Sequence, residues 1–172
     1  MKSARTDGDQ RPLLLQIIEE AYRRPTWNGT NLRASLRRVP ADAAGWRPSK
    51  SRRSIADIVV HCAYWKYALR RRLSGGRRGA FPFKGSNWFS LPSPVTRPQW
   101  SEYLTLLDDQ HQQLCEFLAE DSSRLTFSDA ATRDQTRRIF GLAIHDAYHT
   151  GQIHLIKKLW LRSTRRSTER AV

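Results

Sequence analysis

SIADIVVHCAYWKYALRRRLSGG, residues 54–76, decides the fold class. Ile55, Ile58, Val59, Cys62, Trp65 or Lys66, and Leu69 recur at intervals of three and four, the spacing of one helix face. Ser54 stands where an N-cap hydroxyl belongs, although Asp57 at N3 is a poorer capping-box partner than Glu. Gly75 and Gly76 stop the pattern. The stretch therefore predicts a helix from about Ile55 to Leu73, with His61 at its middle between Val60 and Cys62.

Working outward, the same periodicity returns three times. Upstream, a helix starts near Pro12 and carries Leu14, Ile17, Ile18 and Ala21 on one face. Pro25 interrupts it, and Leu32, Leu36 and Val39 resume the register, giving one broken helix or two in line. Pro40 to Ser54 reads as a connector. Downstream, Trp100, Tyr103, Leu104, Leu107, His111, Leu114 and Leu118 mark a helix from about Pro98 to Ala119. A last helix runs from about Arg137 to Leu161. Residues 74–96 are too rich in Gly and Pro for a helix, yet Phe81, Phe83, Trp88 and Phe89 are too apolar to face water. A loop of that length is usually folded over something, and a lid across a pocket mouth is the expectation for 81–89.

Four amphipathic segments joined by loops predict an all-α four-helix bundle, with the long aromatic-Pro loop between its second and third helices. The expected layout is a flexible arm over residues 1–10, one domain over 11–162, and a basic tail over 163–172. No Gly-rich phosphate loop, βαβ alternation or solenoid repeat is present. No apolar run approaches the ~20 residues that cross a bilayer, and MKSARTDGDQR lacks the apolar core of a secretory signal. A cytoplasmic protein with no membrane partner is expected. Cys62 and Cys115 have no metal-knuckle or disulfide spacing and read as ordinary buried thiols.

The formal charge is +14, from 30 Lys and Arg against 16 acidic residues. Such a surface attracts nucleic acid weakly and without specificity. The arginines are scattered over all segments, however, and do not gather into one stripe.

HDAYHTGQIH, residues 145–154, concentrates three histidines. His145 and His149, four apart, project about 40° from each other on a helix, close enough to reach one cation. Many such pairs are plain core or surface histidines. Here Leu142, Ile144, Ile153, Leu155 and Ile156 make the segment apolar, so buried imidazoles need a partner. His61 on the second helix would be near the bundle interior too. Three neutral imidazoles with open positions fit a catalytic divalent site. His154, nine residues past His145, lies about half a turn away and should miss it. His111 is either core or pocket border.

Three stretches resemble the DinB-like, YfiT-type family of small four-helix metalloproteins. They are residues 25–73, with the Trp-Arg-Pro connector and SIADIVVH; Trp88 with RPQWSEYLTLL; and HDAYHTGQIHLIKKL, where Gly151 and Gln152 follow the histidines in the family manner. Together they cover about residues 12–161. The resemblance implies His61, His145 and His149 as metal ligands and zinc or nickel as the ion. It also implies a thiol transferase, an isomerase or a metal-dependent hydrolase, acting through an activated water or small thiol. The strong basic charge departs from many relatives, so it gives no guide to substrate.

Around the centre, Asp57 and Trp65 flank His61 four residues either side. Asp57 either orients His61 by accepting a ring proton or serves the helix start. Trp65, Tyr64 and Trp88 are pocket or core residues. Asp146, about 100° from His145 on the helix, is an outer residue rather than a ligand. It is also one methylene short of the base in HExxH sites, which favours thiol activation over peptide hydrolysis. Gly151 in a helix predicts close approach of a neighbouring helix. The expected partners are a small-molecule substrate or thiol and, as is common for such bundles, a second copy in a homodimer. Two other readings remain open. One is a non-catalytic metal-binding bundle in a stress response. The other is a nucleic-acid-binding basic protein, which leaves the histidines unexplained.

Overall fold

The computed structural model describes residues 8–27, 29–76, 81–120 and 129–169, with side chains through 166. Among them are six helices and no strand: α1 (Arg11–Tyr22), α2 (Leu32–Ser35), α3 (Ala41–Gly45), α4 (Ile55–Leu73), α5 (Arg97–Glu120) and α6 (Ala130–Glu169). The four long ones form the expected all-α bundle. α4 packs on α5 and α6, and α1 on α6 and α5.

Local chemistry explains most of the boundaries. Pro12 sits in the first turn of α1. Asn31 caps α2, its side chain accepting from the Ala34 N–H at 2.8 Å. Ser54 caps α4 by accepting from the Asp57 N–H at 3.1 Å, while Asp57 accepts from the Ser54 N–H at 2.7 Å. The capping box thus closes with Asp despite its shorter side chain.

Three boundaries differ from the sequence reading. The segment after Pro25 gives only one helical turn, because Arg38 takes a left-handed conformation (φ 57°) just before Pro40. The connector after Pro40 contains α3, whose Gly45 lets Val95 approach closely. α6 begins earlier and continues through residues 163–169, read from sequence as a trailing tail. The proposed arm falls mostly outside the described residues; Gly8 to Gln10 precede the helix.

The core is two apolar clusters. One gathers Leu32, Ile55, Ile58, Val59, Leu107, Ile153 and the loop residue Phe89. The other gathers Leu14, Ile18, Leu69, Leu114, Leu118, Ile139 and Leu142. Between them, at the matching level of all four long helices, lies a buried polar belt: Glu19 on α1, Lys66 on α4, Gln110 and His111 on α5, Asp146, His149 and Thr150 on α6. Buried charges persist only when paired. Lys66 accordingly bonds Asp146 and lies 4.8 Å from the Tyr22 ring centroid. Glu19 holds His111 at 2.9 Å and Arg23 at 2.9 Å.

Two expectations about α6 fail. Ile144 and Leu155 are 55% and 58% exposed and do not bury the histidines. Leu142, Ala143, Ile153 and Ile156 form the buried stripe instead. Gly151 is exposed, and a Cβ added there would meet nothing within 4 Å, so it marks no close helix contact.

Candidate metal centre

α4 and α6 run antiparallel, which sets His61 opposite the turn that carries His145 and His149. His61 Nε2 lies 3.1 Å from His145 Nε2, and His149 Nε2 lies 3.1 Å from the same atom. All three donors fall within 4.8 Å of one another. With metal–nitrogen bonds of about 2.0–2.1 Å, neighbouring ligand nitrogens stand about 3–3.4 Å apart. The spacing fits one ion.

The opposite ring nitrogens decide what occupies that convergence. His61 Nδ1 is 2.7 Å from the Asn87 carbonyl, which can only accept, so Nδ1 carries the proton. His149 Nδ1 is 2.7 Å from Gln152 Oε1, and Gln152 Nε2 in turn donates to the Tyr148 hydroxyl at 2.8 Å. His149 Nδ1 is therefore a donor too. Both rings turn bare Nε2 lone pairs inward. A single proton on His145 Nε2 could serve only one of them. Charging the rings is no remedy. Burial pushes the His61 pKa down to about 4, against the opposing Asn87 bond, and pushes His145 down to about 3, helped by its two histidine neighbours. Burial lowers His149 as well. The three imidazoles are neutral at pH 7, the form that ligates a cation.

The aromatic loop completes the setting. Trp88 stacks on His61 with ring centroids 3.8 Å apart and planes 5° from parallel. Arg53 lies 4.7 Å over the other ring system of that stack, the Trp88 indole. Phe81, Phe83 and Phe89 pack against Tyr64, Tyr67 and Tyr103 and join the core. These rings anchor the loop, and among its described residues only the Asn87–Trp88 step touches the histidines.

The flanking residues separate clearly. Asp57 does not orient His61: its oxygens serve the Ser54 cap and Arg47, the latter at 2.7 Å. Trp65 meets His61 and His145 edge-on, each at 6.2 Å between centroids. Asp146 points away to Lys66 and is held by it, which removes it as a free base. Burial raises the Asp146 pKa, outweighing the nearby Lys66 charge and hydrogen bond. His154 stands apart from the centre, on a groove lined by α1 and α6.

A second cluster escaped the sequence reading: Glu19, His111 and Cys115. Glu19 is already neutralised by Arg23 and Arg24, at 2.9 and 3.2 Å. Burial pushes the Cys115 thiol up to about 12, and burial with the Lys66 charge pushes His111 down to about 3. The thiol, His111 Nε2 and the carboxylate are hydrogen-bonded to one another, while His111 Nδ1 is buried without a partner.

Fold and site define a helical bundle with a three-imidazole centre between two antiparallel helices. The chain belongs to the DinB superfamily, whose family model matches residues 26–153. No curated protein and no solved structure gives a significant match. Among the described residues no helix is long and apolar enough to cross a membrane.

Proposed function

We propose that the protein is a divalent-metal-dependent enzyme in which His61, His145 and His149 hold the ion, zinc or nickel, and a water or small thiol becomes the nucleophile. One observation carries the reading: two Nε2 lone pairs, fixed by the Nδ1–H bonds to Asn87 and Gln152, converge with His145 Nε2 in a buried space. A single cation satisfies all three nitrogens together. When bound, such an ion lowers the pKa of a coordinated water or thiol toward neutrality.

The chain's own residues do the rest. Asn87 and Gln152 fix two ring orientations. Trp88 covers His61 and keeps bulk water from that side. His145 opens onto a cavity of about 550 Å³ between α4 and α6, which gives a substrate access. Among the described residues no carboxylate stands free beside the three rings, since Asp146 is paired with Lys66 and Asp57 with Arg47. That favours attack by a thiolate, which needs no general base once deprotonated, over hydrolysis.

The test is metal content by mass spectrometry on untagged protein, beside His61→Ala and His149→Ala. About one zinc or nickel per chain, lost in both variants, is expected for a three-ligand site. Folded wild-type protein that takes up neither metal on incubation would overturn the proposal.

A further inference from the structure

The cavity beside His145 has two unlike ends. Near the centre its wall is Trp65 and His145; at the far end it is Arg71, Arg72 and Arg138. Seven residues of helix separate Trp65 from Arg72 on α4 and His145 from Arg138 on α6. At 1.5 Å per residue, the two ends lie about 10 Å apart. The stretch between is lined by Tyr67, Ala68, Leu69 and Leu142.

The arginines there are under-used. Arg70, their neighbour, turns the other way and donates to Gln113 on α5 at 2.9 Å. Among the described residues, no carboxylate lies within ion-pair distance of Arg71 or Arg72, although the Arg138 bond and the Arg72 charge together hold the Asp134 carboxyl below its usual range; Arg138 gives only its Nε to Asp134, at 2.7 Å. Arg71 Nε and the Tyr67 hydroxyl are buried without any hydrogen-bond partner, as is Arg70 Nε. Stabilising the C-terminal end of α4 accounts for some positive charge there. It does not account for three guanidinium groups gathered at one end of a cavity. Gly76 keeps the arrangement possible: a Cβ at that position would fall 2.7 Å from Arg71 Nη1 and 2.8 Å from its Cζ.

The geometry points to an elongated organic anion as the ligand of this cavity. Its carboxylate, sulfonate or phosphate group is held by Arg71 and Arg72 with help from Arg138. Its flat or aliphatic body lies along Trp65, Tyr67 and Leu142, and its reacting atom reaches His145 about 10 Å away. The assignment of the reacting end rests on the metal-centre proposal; the anion-binding end does not. The scattered surface arginines thereby gain one member group with a defined task.

The probe is anilinonaphthalene sulfonate, an aryl sulfonate of suitable size, beside its uncharged relative phenylnaphthylamine. Both are titrated by fluorescence into the full chain, with metal content and circular dichroism recorded for each variant. Arg71→Ala/Arg72→Ala should weaken the sulfonate by about tenfold or more, the scale of losing charge-assisted hydrogen bonds, and leave the neutral probe unchanged. Arg165→Ala/Arg166→Ala removes the same charge from an exposed stretch of α6 and should leave both unchanged. Gly141→Phe, at a position where an added Cβ meets nothing within 4 Å, should fill the cavity and abolish binding of both probes. Equal losses from the two arginine pairs would reduce the effect to general surface charge and overturn the assignment. So would sulfonate binding that survives Gly141→Phe. Wild-type protein that takes up no metal yet binds the sulfonate would refute the metal centre alone; wild-type protein that holds metal but does not bind the sulfonate would refute the anion pocket alone.

Discussion

Lys66 is fully buried and Asp146 is 1% exposed, each the other's partner across α4 and α6. Replacing Lys66 by Met keeps the side-chain volume and removes the ammonium. The Asp146 carboxylate would then face the core alone, with Oδ1 already lacking a partner. Breaking one half of a buried pair costs about 3–5 kcal/mol. In a chain of this size each kcal/mol moves the melting temperature by roughly 2–4 °C, so a fall of roughly 10 °C is expected. Burial raises the Asp146 pKa in spite of Lys66, and taking two charges out of water offsets much of a buried pair's attraction. Lys66→Met/Asp146→Leu should therefore recover wild-type stability or exceed it. Urea unfolding followed by circular dichroism, with matched m-values, measures Lys66→Met, Asp146→Leu and the double variant. A single substitution within about 1 kcal/mol of wild type, or a double variant no more stable than the singles, would refute the view that the belt's charges are costly but mutually dependent.

Gln152→Leu removes the acceptor of His149 Nδ1 and should weaken metal affinity by about 10–100-fold, read by chelator competition, with little change in melting temperature. Glu19 should contribute to acid sensitivity. Burial alone would raise its pKa, but hydrogen bonds from Arg23, His111 and Cys115 prevail and hold it at about 2 against an ordinary 4.5. Its contribution, about 3 kcal/mol, is present above the unfolded value and disappears as pH falls toward the folded one. Wild type should thus exceed Glu19→Gln by less and less as pH drops from about 5 to about 2; a constant gap would contradict the network.

The long helices were legible because apolar residues at three- and four-residue spacing need no tertiary information. The His61, His145 and His149 group was legible for a related reason: two of its members share a turn, and the third sits inside a strong helical stripe. Other features depend on groups that leave no mark in a periodic pattern. Asn87 orients His61 through a backbone carbonyl that any residue could supply. Lys66 could not be told from Trp65 as the inward residue, because its burial is explained only by an aspartate 80 positions away. The polar Ser-Thr-Arg end of α6 contains no breaker, and the helix runs on where hydrophobic periodicity stops. Gly151 misled because glycine marks both close packing and open space.

His61 is gripped by consecutive residues in two different ways: the main chain of Asn87 and the flat face of Trp88. Neither demands a unique letter at position 87, and any planar side chain approximates the second. The loop's length and path are what matter, since a one-residue insertion would carry both contacts off together. Selection at this spot acts on spacing more than on identity. Substitution counts within the superfamily would therefore undervalue the loop, whereas the pattern of tolerated insertions and deletions would reveal it as part of the centre.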